Sequence, residues 1–194
     1  PHLTPDGHLT AGSACVDAGN NSAVPPTLTL DCDGEPRFID DPNVPDTGFG
    51  TPPIVDIGAD EFKESDGDGL PDWWEAKYFD SATAADPYTD TDGDGLSNLQ
   101  EYEQYGSNPI SPPCYVNAAS GDDAFDGRAS SPQGGSVGPK KTIQAALNVA
   151  QDGDTVLVVA STYAGTGNFN LDFGSKAIVV LAPSGAPSTT IDCG

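Results

Sequence analysis

Two acidic segments carry oxygen-bearing side chains at a spacing that suits a hard metal ion. Residues 64–75 and 90–101 each place such side chains at loop positions 1, 3, 5, 9 and 12. Calcium takes roughly six to eight oxygen ligands, and this spacing wraps them around one ion. Glycine at position 6, which is Gly69 or Gly95, permits the sharp turn that brings early and late ligands together. Two segments in the same register predict two Ca2+ sites.

The composition excludes partners that need a positive surface. The chain has 30 acidic and 7 basic residues among 194, which gives a formal net charge of -23. Nucleic acid and anionic lipid both bind to positive faces, so we expect no nucleic-acid partner. The sequence also has no apolar run of membrane-spanning length, so we expect no membrane insertion. Because the chain begins with proline instead of methionine, we expect it to be a mature or excised piece of a longer protein.

Residues 1–63 are rich in Pro, Gly, Asp and Asn, and their apolar residues come in twos and threes. Residues 12–20 and 54–62 are typical of brief strands broken by turns. The segment has too little apolar sequence for a core of its own, so we expect it to pack on another part of the protein.

Residues 64–108 form a tandem loop–helix module in this interpretation. Pro71 marks the start of a helix after the first loop, and Gly106 marks the end of a helix after the second. A small shared core is expected between the two units, formed by Leu70, Trp74, Phe79, Leu96, Leu99 and Tyr102. Residues 109–113 follow as a stiff proline-rich linker.

Residues 114–194 combine one helix with evenly spaced apolar runs. Apolar residues on one face predict an amphipathic helix at about 142–151. Short strands are predicted after it, separated by turn residues at intervals of roughly ten residues: 155–159, 169–173, 177–181 and 189–192. A helix that precedes such strands indicates the start of a parallel β-solenoid.

The four cysteines lack the C-x-x-C spacing that is typical of a zinc site. Cys15 with Cys32 is a plausible local disulfide, and Cys114 with Cys193 a possible long-range one. Four cysteines allow three pairings, and free buried thiols are the alternative to all of them.

The two loops, followed by Asn98-Leu-Gln-Glu-Tyr102 and by Ser107-Asn-Pro109, resemble bacterial thrombospondin type 3 repeats and, more loosely, dockerin modules. The resemblance covers about 45 residues and implies two Ca2+ ions, each held by side chains and one carbonyl. The first ion would be bound by Glu64, Asp66, Asp68, the Leu70 carbonyl, Asp72 and Glu75. The second would be bound by Asp90, Asp92, Asp94, the Leu96 carbonyl, Asn98 and Glu101.

The flanking segments resemble right-handed parallel β-helix proteins of secreted bacterial type. Residues 13–19 with 56–62 resemble the closing segment of such a helix, and residues 115–119, 154–158, 174–178 and 191–194 resemble an opening. The expected fold class is therefore mainly β with small α content. Partial parallel β-helix (solenoid) segments, residues 1–63 and 114–194, would be joined by the two-site calcium module.

These features lead to the hypothesis of a calcium-stabilised structural connector in a secreted or cell-surface protein. Its expected partners are adjacent β-helix segments or further copies of itself, since a closing and an opening segment are complementary. Head-to-tail contact of that kind builds extracellular filaments, with a role in cell adhesion. A carbohydrate or surface protein is a further possible partner.

Two alternatives compete with the connector. A dockerin-like module would bind a partner protein through exposed aromatic side chains, for which Trp73, Tyr78 and Tyr105 are candidates. The chain could also be a non-catalytic piece of a β-helix polysaccharide-degrading enzyme. A cluster of acids in the sequence, formed by Asp56, Asp60 and Glu61, is interpreted as turn and capping residues. Both histidines are expected to be solvent-exposed. We therefore expect no enzyme activity.

Overall fold

The computed structural model describes residues 2–185 and 188–193, and the chain divides into two compact units. The first unit comprises Pro1–Thr89 and Ser97–Gly106, and the second comprises Asp90–Leu96 and Ser107–Gly194. The boundaries of these two units differ from those of the four segments predicted from the sequence. The predicted domain organisation therefore stays a prediction.

The N-terminal part of the first unit is built from turns. Within its described residues up to 63, regular structure is limited to a short 3-10 helix, Asn21–Ala23, and to isolated bridges such as Leu3–Leu9. The prediction of brief strands at 12–20 and 54–62 is therefore wrong. Two backbone bonds join these segments, from the amides of Gly19 and Ile57 to the carbonyls of Val55 and Cys15 at 2.8 and 2.9 Å. They do not continue into a strand, because the amides of Asp17 and Phe62 donate instead to the Asp56 carboxylate at 2.6 and 2.7 Å.

Two helical segments complete the first unit. Helix α1 (Asp72–Phe79) follows Pro71, as predicted, and ends at Asp80 in a left-handed conformation with φ 60°. Helix α2 (Asn98–Gln100) begins with a capping box in which Ser97 and Gln100 bind each other's backbone amides. A π-helical turn, Glu101–Tyr105, continues it to Gly106, where φ is 65°. The predicted stop at Gly106 is confirmed.

The helical segments share a small aromatic core. Buried Leu70, Trp74, Ala85 and Tyr102 form it, with Leu99 and Phe79 packed against them. The Trp74 ring lies 5.9 Å from those of both Phe79 and Tyr102. The predicted shared core is thus confirmed for these residues, whereas Leu96 is a buried residue of the second unit.

The second unit contains five short strands and one helix. In chain order they are β1 (Cys114–Val116), α3 (Ile143–Val149), β2 (Thr155–Val158), β3 (Thr162–Ala164), β4 (Val179–Leu181) and β5 (Thr190–Asp192). Strands β1, β2 and β4 form one parallel sheet in that spatial order, and β3 pairs in parallel with β5. Consecutive strands thus alternate between the two sheets from β2 to β5.

The core of the second unit lies between α3 and the larger sheet. Thr142 caps α3 by accepting a hydrogen bond from the amide of Ala145 at 3.3 Å. The helix buries one face, as its apolar spacing predicts, and packs on β1 and β2 with Tyr163 of β3. The buried members of this core are Cys114, Val116, Ile143, Ala146, Leu147, Ala150, Val156, Val158 and Tyr163.

Three of the four strands predicted after the helix are present, as β2, β4 and β5. Residues 169–173 form no strand, because Asn170 adopts a left-handed conformation with φ 52° that interrupts an extended chain. Leu171 nevertheless packs against the core from this turn. The fold is mainly β with few helices, as expected. Among the described residues, no helix has both the length and the apolar character needed to cross a membrane.

All four cysteines are free thiols, so neither suggested disulfide is present in the structure. Cys114 is buried, and Cys32 and Cys193 are exposed. The Cys32 thiol lies 3.8 Å from Oδ1 of Asp60. Partial desolvation, and then the charges of Asp33 and Asp60, raise the pKa of the Cys32 thiol to about 11.

The packing of α3 predicts the effect of two substitutions in one helix. Leu147 is fully buried, so Leu147→Ala should lower the free energy of unfolding by about 2–5 kcal/mol through lost burial and a cavity. Val149 is 41% exposed, so Val149→Ala should change the free energy of unfolding by less than about 0.5 kcal/mol. Scanning calorimetry with calcium present measures both variants, and equal losses would contradict the assigned buried face.

Candidate metal centre

The first acidic loop brings three carboxylates together. Ligand atoms of Glu64, Asp66 and Asp68, at positions 1, 3 and 5, all lie within 4.8 Å of one another. Glu64 is buried, whereas Asp66 is exposed. Burial raises the pKa of Asp66 and of Asp68, and the neighbouring carboxylates raise both further. Like charges at this separation repel one another, so the cluster favours a cation at its centre.

The loop backbone is held by the same carboxylates that are predicted to bind the ion. Oε1 of Glu64 accepts hydrogen bonds from the amides of Asp66 and Gly67 at 2.8 and 2.7 Å. Oδ1 of Asp68 accepts one from the amide of Leu70 at 2.8 Å. Gly67 and Gly69 adopt positive φ values of 84° and 97°, which side-chain-bearing residues rarely adopt.

Glu75, at position 12, is placed by helix α1. Its side chain is fully buried, and Oε1 accepts a hydrogen bond from the amide of Ala85 at 2.9 Å. Oε2 is buried without a hydrogen-bond partner. Burial, and then the charges of Asp68, Asp66 and Asp72, raise the pKa of Glu75 to about 7. A buried carboxylate oxygen without a hydrogen-bond partner is suited to bind a cation directly.

Asp72, at position 9, has partners that the sequence did not predict. Its Oδ2 lies 2.8 Å from Nζ of Lys63 and accepts a hydrogen bond from the Ser65 hydroxyl at 2.7 Å. Its Oδ1 accepts a hydrogen bond from the Ser65 amide at 2.9 Å. Asp72 therefore supports the start of the loop, and its role as an ion ligand stays a prediction. The same holds for the carbonyl of Leu70, whose side chain is fully buried.

The second acidic loop lies in the second unit and repeats this arrangement. Ligand atoms of Asp90, Asp92 and Asp94 lie within 4.8 Å of one another. Gly93 and Gly95 have φ values of 83° and 95°, within a few degrees of their counterparts in the first loop. The two loops thus share a backbone conformation as well as a residue pattern.

The second loop also has the same kind of hydrogen bonds as the first, from backbone amides to its carboxylates. Oδ1 of Asp90 accepts from the amides of Gly93 and Asp94 at 2.8 and 3.1 Å, and Oδ1 of Asp94 accepts from the Leu96 amide at 2.7 Å. Oδ2 of Asp92 and Oδ2 of Asp94 are buried without hydrogen-bond partners. Burial, and then the charges of Asp94 and Asp90, raise the pKa of Asp92 to about 7.

Asn98 and Glu101, the predicted late ligands of the second ion, belong to the first unit. Asn98 is buried, and its amide groups donate to the carbonyls of Thr89 and Asp86 at 2.9 and 2.8 Å. Glu101 is fully buried at the junction of α2 with the π-helical turn. Their coordination of an ion, with that of the Leu96 carbonyl, stays a prediction.

The donor set identifies the kind of ion. Every candidate ligand in the two loops is an oxygen atom, since neither loop contains histidine or cysteine. Zinc and copper favour nitrogen and sulfur donors, whereas calcium is a hard cation that binds oxygen. Three buried carboxylate oxygens without partners, on Glu75, Asp92 and Asp94, fit such a cation.

The acidic residues 56–61 have the structural role that the sequence analysis assigned to them. Oδ2 of Asp60 accepts a hydrogen bond from the Leu9 amide at 2.5 Å, and Glu61 forms a buried ion pair with Arg37. Arg37 also donates to backbone carbonyls of this segment, including that of Gly58. No spacing pattern in the sequence marks this buried arginine, which lies 24 residues from Glu61.

A second cluster was not predicted. His8, Cys32, Asp33 and Asp60 have ligand atoms within 4.8 Å of one another. The expectation that His8 is solvent-exposed is wrong, because its ring is half-buried against Trp73 at 4.9 Å and Nε2 lies 3.0 Å from Asp33. The contacts of His8 with Asp33 and of Cys32 with Asp60 are internal to this cluster, so it needs no ion to explain its geometry.

Comparison with known families supports the calcium assignment for part of the chain. Residues 90–112 match the family described as bacterial TSP3 repeat, a calcium-binding structural module of extracellular type. The match contains the second loop and the sequence up to Pro112. No curated protein and no solved structure matches the chain.

The raised pKa values predict how pH acts on the calcium-free protein. Glu75 and Asp92 have ordinary pKa values of 4.5 and 3.8, and each is raised to about 7 in the folded state. Such groups bind protons more tightly when the protein is folded, so stability is greatest while they are protonated and is lost as pH rises through about 7. With a chelator present, the melting temperature should therefore fall between about pH 5 and pH 8.

Calcium should reduce this pH dependence, because the cation replaces the proton as the partner of the carboxylates. Melting curves at several pH values, with chelator and with calcium, measure both slopes. Glu75→Gln should make the chelator slope shallower, whereas Glu103→Gln in the π-helical turn should leave it unchanged. A melting temperature that rises with pH in chelator would contradict the assignment.

Proposed function

We propose that the chain is a calcium-stabilised structural connector of a secreted or cell-surface protein, with one calcium ion in each acidic loop. The observation that carries the proposal is the repeated loop geometry. Both loops pair a three-carboxylate cluster with two left-handed glycines, and both are associated with buried carboxylate oxygens that lack partners. Asn98 and Glu101 are assigned to the second ion from their loop positions 9 and 12 alone.

The energetic effect of the ions supports a structural role. If the dissociation constant is about 10 μM and ambient calcium is about 1 mM, each site adds roughly 2.7 kcal/mol to the free energy of unfolding. Two such sites approach the whole stability of a small domain, which is roughly 5–15 kcal/mol. Extracellular fluids contain calcium at that level, so the proposed location and the proposed cofactor agree.

Strand pairing in the second unit supports a β-helix flank. The segment β2–β3 and the segment β4–β5 each place one strand in the larger sheet and the next in the smaller sheet, with parallel pairing between them. A parallel β-helix repeats in this way, since each coil stacks its strands on those of the coil before. We therefore propose that residues 114–194 begin such a solenoid.

The last strands of this proposed solenoid, β4 and β5, have an exposed surface on which further strands could stack. Strands β4 and β5 each pair with one neighbour among the described strands, and Val180 and Ile191 on them are 37% and 48% exposed. A groove of about 420 Å³ beside them is lined mainly by apolar side chains: Ile143, Val158, Leu171, Phe173, Val180, Leu181, Ala182, Thr189 and Ile191. We propose that further coils or a second copy of the chain cover this surface head to tail.

Contacts of the aromatic residues disfavour a dockerin-like binding face. Trp73 is half-buried between the His8 ring at 4.9 Å and the Tyr102 ring at 6.2 Å. Tyr78 packs on Trp74, and Nζ of Lys77 lies 4.7 Å from the centre of the Tyr78 ring. These residues stabilise the first unit itself, and Tyr105, at 37% exposure, is the more accessible member of the predicted set.

The structural role of the candidate acids supports a non-catalytic chain. Hydrolysis of a polysaccharide needs two carboxyl groups that face a groove and are free to exchange protons. Asp56 and Asp60 are buried and bind backbone amides, and Glu61 is buried against Arg37. None of these three acids is accessible to a polysaccharide substrate.

A calcium titration of loop variants tests the connector. Asp68→Asn should abolish binding in the first loop, and Asp94→Asn in the second, so each should lower by one the number of ions bound per chain. Asp80→Asn is the matched control, because Asp80 is exposed and outside the carboxylate clusters. Calorimetric titration of the chelator-stripped chain gives the stoichiometry, and a wild-type chain that binds no calcium at about 1 mM overturns the proposal.

Light scattering tests head-to-tail assembly. In calcium, the mean particle mass should rise with protein concentration, since a heterologous contact does not close. Val180→Lys places a charge on the exposed edge of β4 and should keep the protein monomeric. Val149→Lys makes the same change on the exposed face of α3 and should not. A mass that stays that of a monomer at every concentration would refute assembly, while leaving the calcium sites untouched.

A further inference from the structure

Three aspartates from separate turns of the first unit meet outside the calcium loops. Ligand atoms of Asp17, Asp40 and Asp46 lie within 4.8 Å of one another. They are not part of either loop, and their spacing of 23 and 6 residues matches no motif identified in the sequence. Asp17 is fully buried, whereas Asp40 and Asp46 are exposed.

The backbone of Asp17 is firmly held while its side chain is not. Its amide donates to Oδ1 of Asp56 at 2.6 Å, and its carbonyl accepts from the amides of Thr47 and Gly48 at 2.8 and 3.0 Å. Its φ of 48° lies in the left-handed region, which aspartate tolerates better than most residues. These bonds hold the segment that carries Asp46 beside Asp17.

Both carboxylate oxygens of Asp17 are buried without a hydrogen-bond partner. Transfer of an unpaired carboxylate into a protein interior costs several kcal/mol, so such a group takes up a proton or binds a cation. The basic residues of the first unit are engaged elsewhere: Arg37 pairs with Glu61, Lys63 with Asp72, and Lys77 lies over aromatic rings. Among the described residues of the first unit, none of these three basic side chains therefore forms an ion pair with Asp17.

We propose that Asp17, Asp40 and Asp46 bind a third calcium ion, independent of the two acidic loops. Three carboxylates are the hard donor set that calcium prefers, and the cluster has neither histidine nor cysteine to favour zinc. Because Asp40 and Asp46 are exposed, water completes the coordination. The ion would fasten the turn-rich segment around residues 40–48 to Asp17, in a part of the chain without β-strands.

The electrostatic environment agrees with this site. Burial, and then the charges of Asp56, Asp40 and Asp46, raise the pKa of Asp17 to about 7. The direction of this shift shows that the surroundings of Asp17 hold an excess of negative charge, which suits a cation.

The experiment compares calcium stoichiometry in full-length variants by equilibrium dialysis after removal of calcium with chelator. Asp17→Asn keeps the shape of the side chain and tolerates the left-handed backbone, and it should lower the number of bound ions by exactly one relative to the wild type. Asp40→Asn, at an exposed position, should weaken the same ion without disturbing the core. Asp80→Asn, also exposed, should leave the stoichiometry unchanged.

Melting temperatures distinguish a binding role from a structural one. In chelator, Asp17→Asn should melt no lower than the wild type, since it removes a buried unpaired charge; in calcium, it should melt lower. An Asp17→Asn protein that binds as many ions as the wild type overturns the proposal, as does one that loses equal stability with and without calcium. The outcome does not depend on the loops, because Asp68→Asn and Asp94→Asn report on those ions separately.

Discussion

Repulsion between carboxylates, in a chain with few cations of its own, is the constraint on which the rest of this structure depends. Acidic residues outnumber basic ones 30 to 7, and several of the acids are buried. A recurring solution is to give one carboxylate oxygen to a backbone amide and leave the other without a partner, as at Glu75 and Asp94. The first oxygen shapes the loop, and the second is available to a cation. Folding and ion binding are therefore two uses of the same side chains.

Carboxylates also bind backbone amides in the N-terminal turns, where secondary structure is sparse. Amides that a sheet would pair with another strand are bound instead by Asp31, Asp56 and Asp60. A carboxylate at such a position organises several turns at once, because its two oxygens reach amides far apart in the sequence. The apolar core of this segment is small, with Leu9, Val16 and Phe62 buried together, and hydrogen bonds to carboxylates add to it.

Local patterns were predictable from the sequence, and long-range ones were not. Pro71 and Gly106 marked helix ends correctly because their backbone restrictions act at single positions. Alternating turns and β-branched residues located β2 and β4 for the same reason. The loop clusters were predictable because their spacing is short and periodic. By contrast, the Lys63–Asp72 pair, the Arg37–Glu61 pair and the meeting of Asp17 with Asp46 depend on tertiary structure. The strands expected in the first 63 residues were wrong because aspartate side chains compete for the amides that strands would use.

The turn-rich backbone of the first unit also has a consequence for the lifetime of the protein. Segments without strands or helices open locally at low free-energy cost, and proteases cut such open states. Here the carbonyl of Asp17 closes the turn at Thr47 and Gly48, and the Asp17 carboxylate is a ligand of the proposed third ion. A bound ion would therefore hold this turn closed. Degradation would then be slow where calcium is plentiful and rapid where it is scarce. The ambient ion would act as a quality-control signal, preserving the chain outside cells and marking it for removal elsewhere.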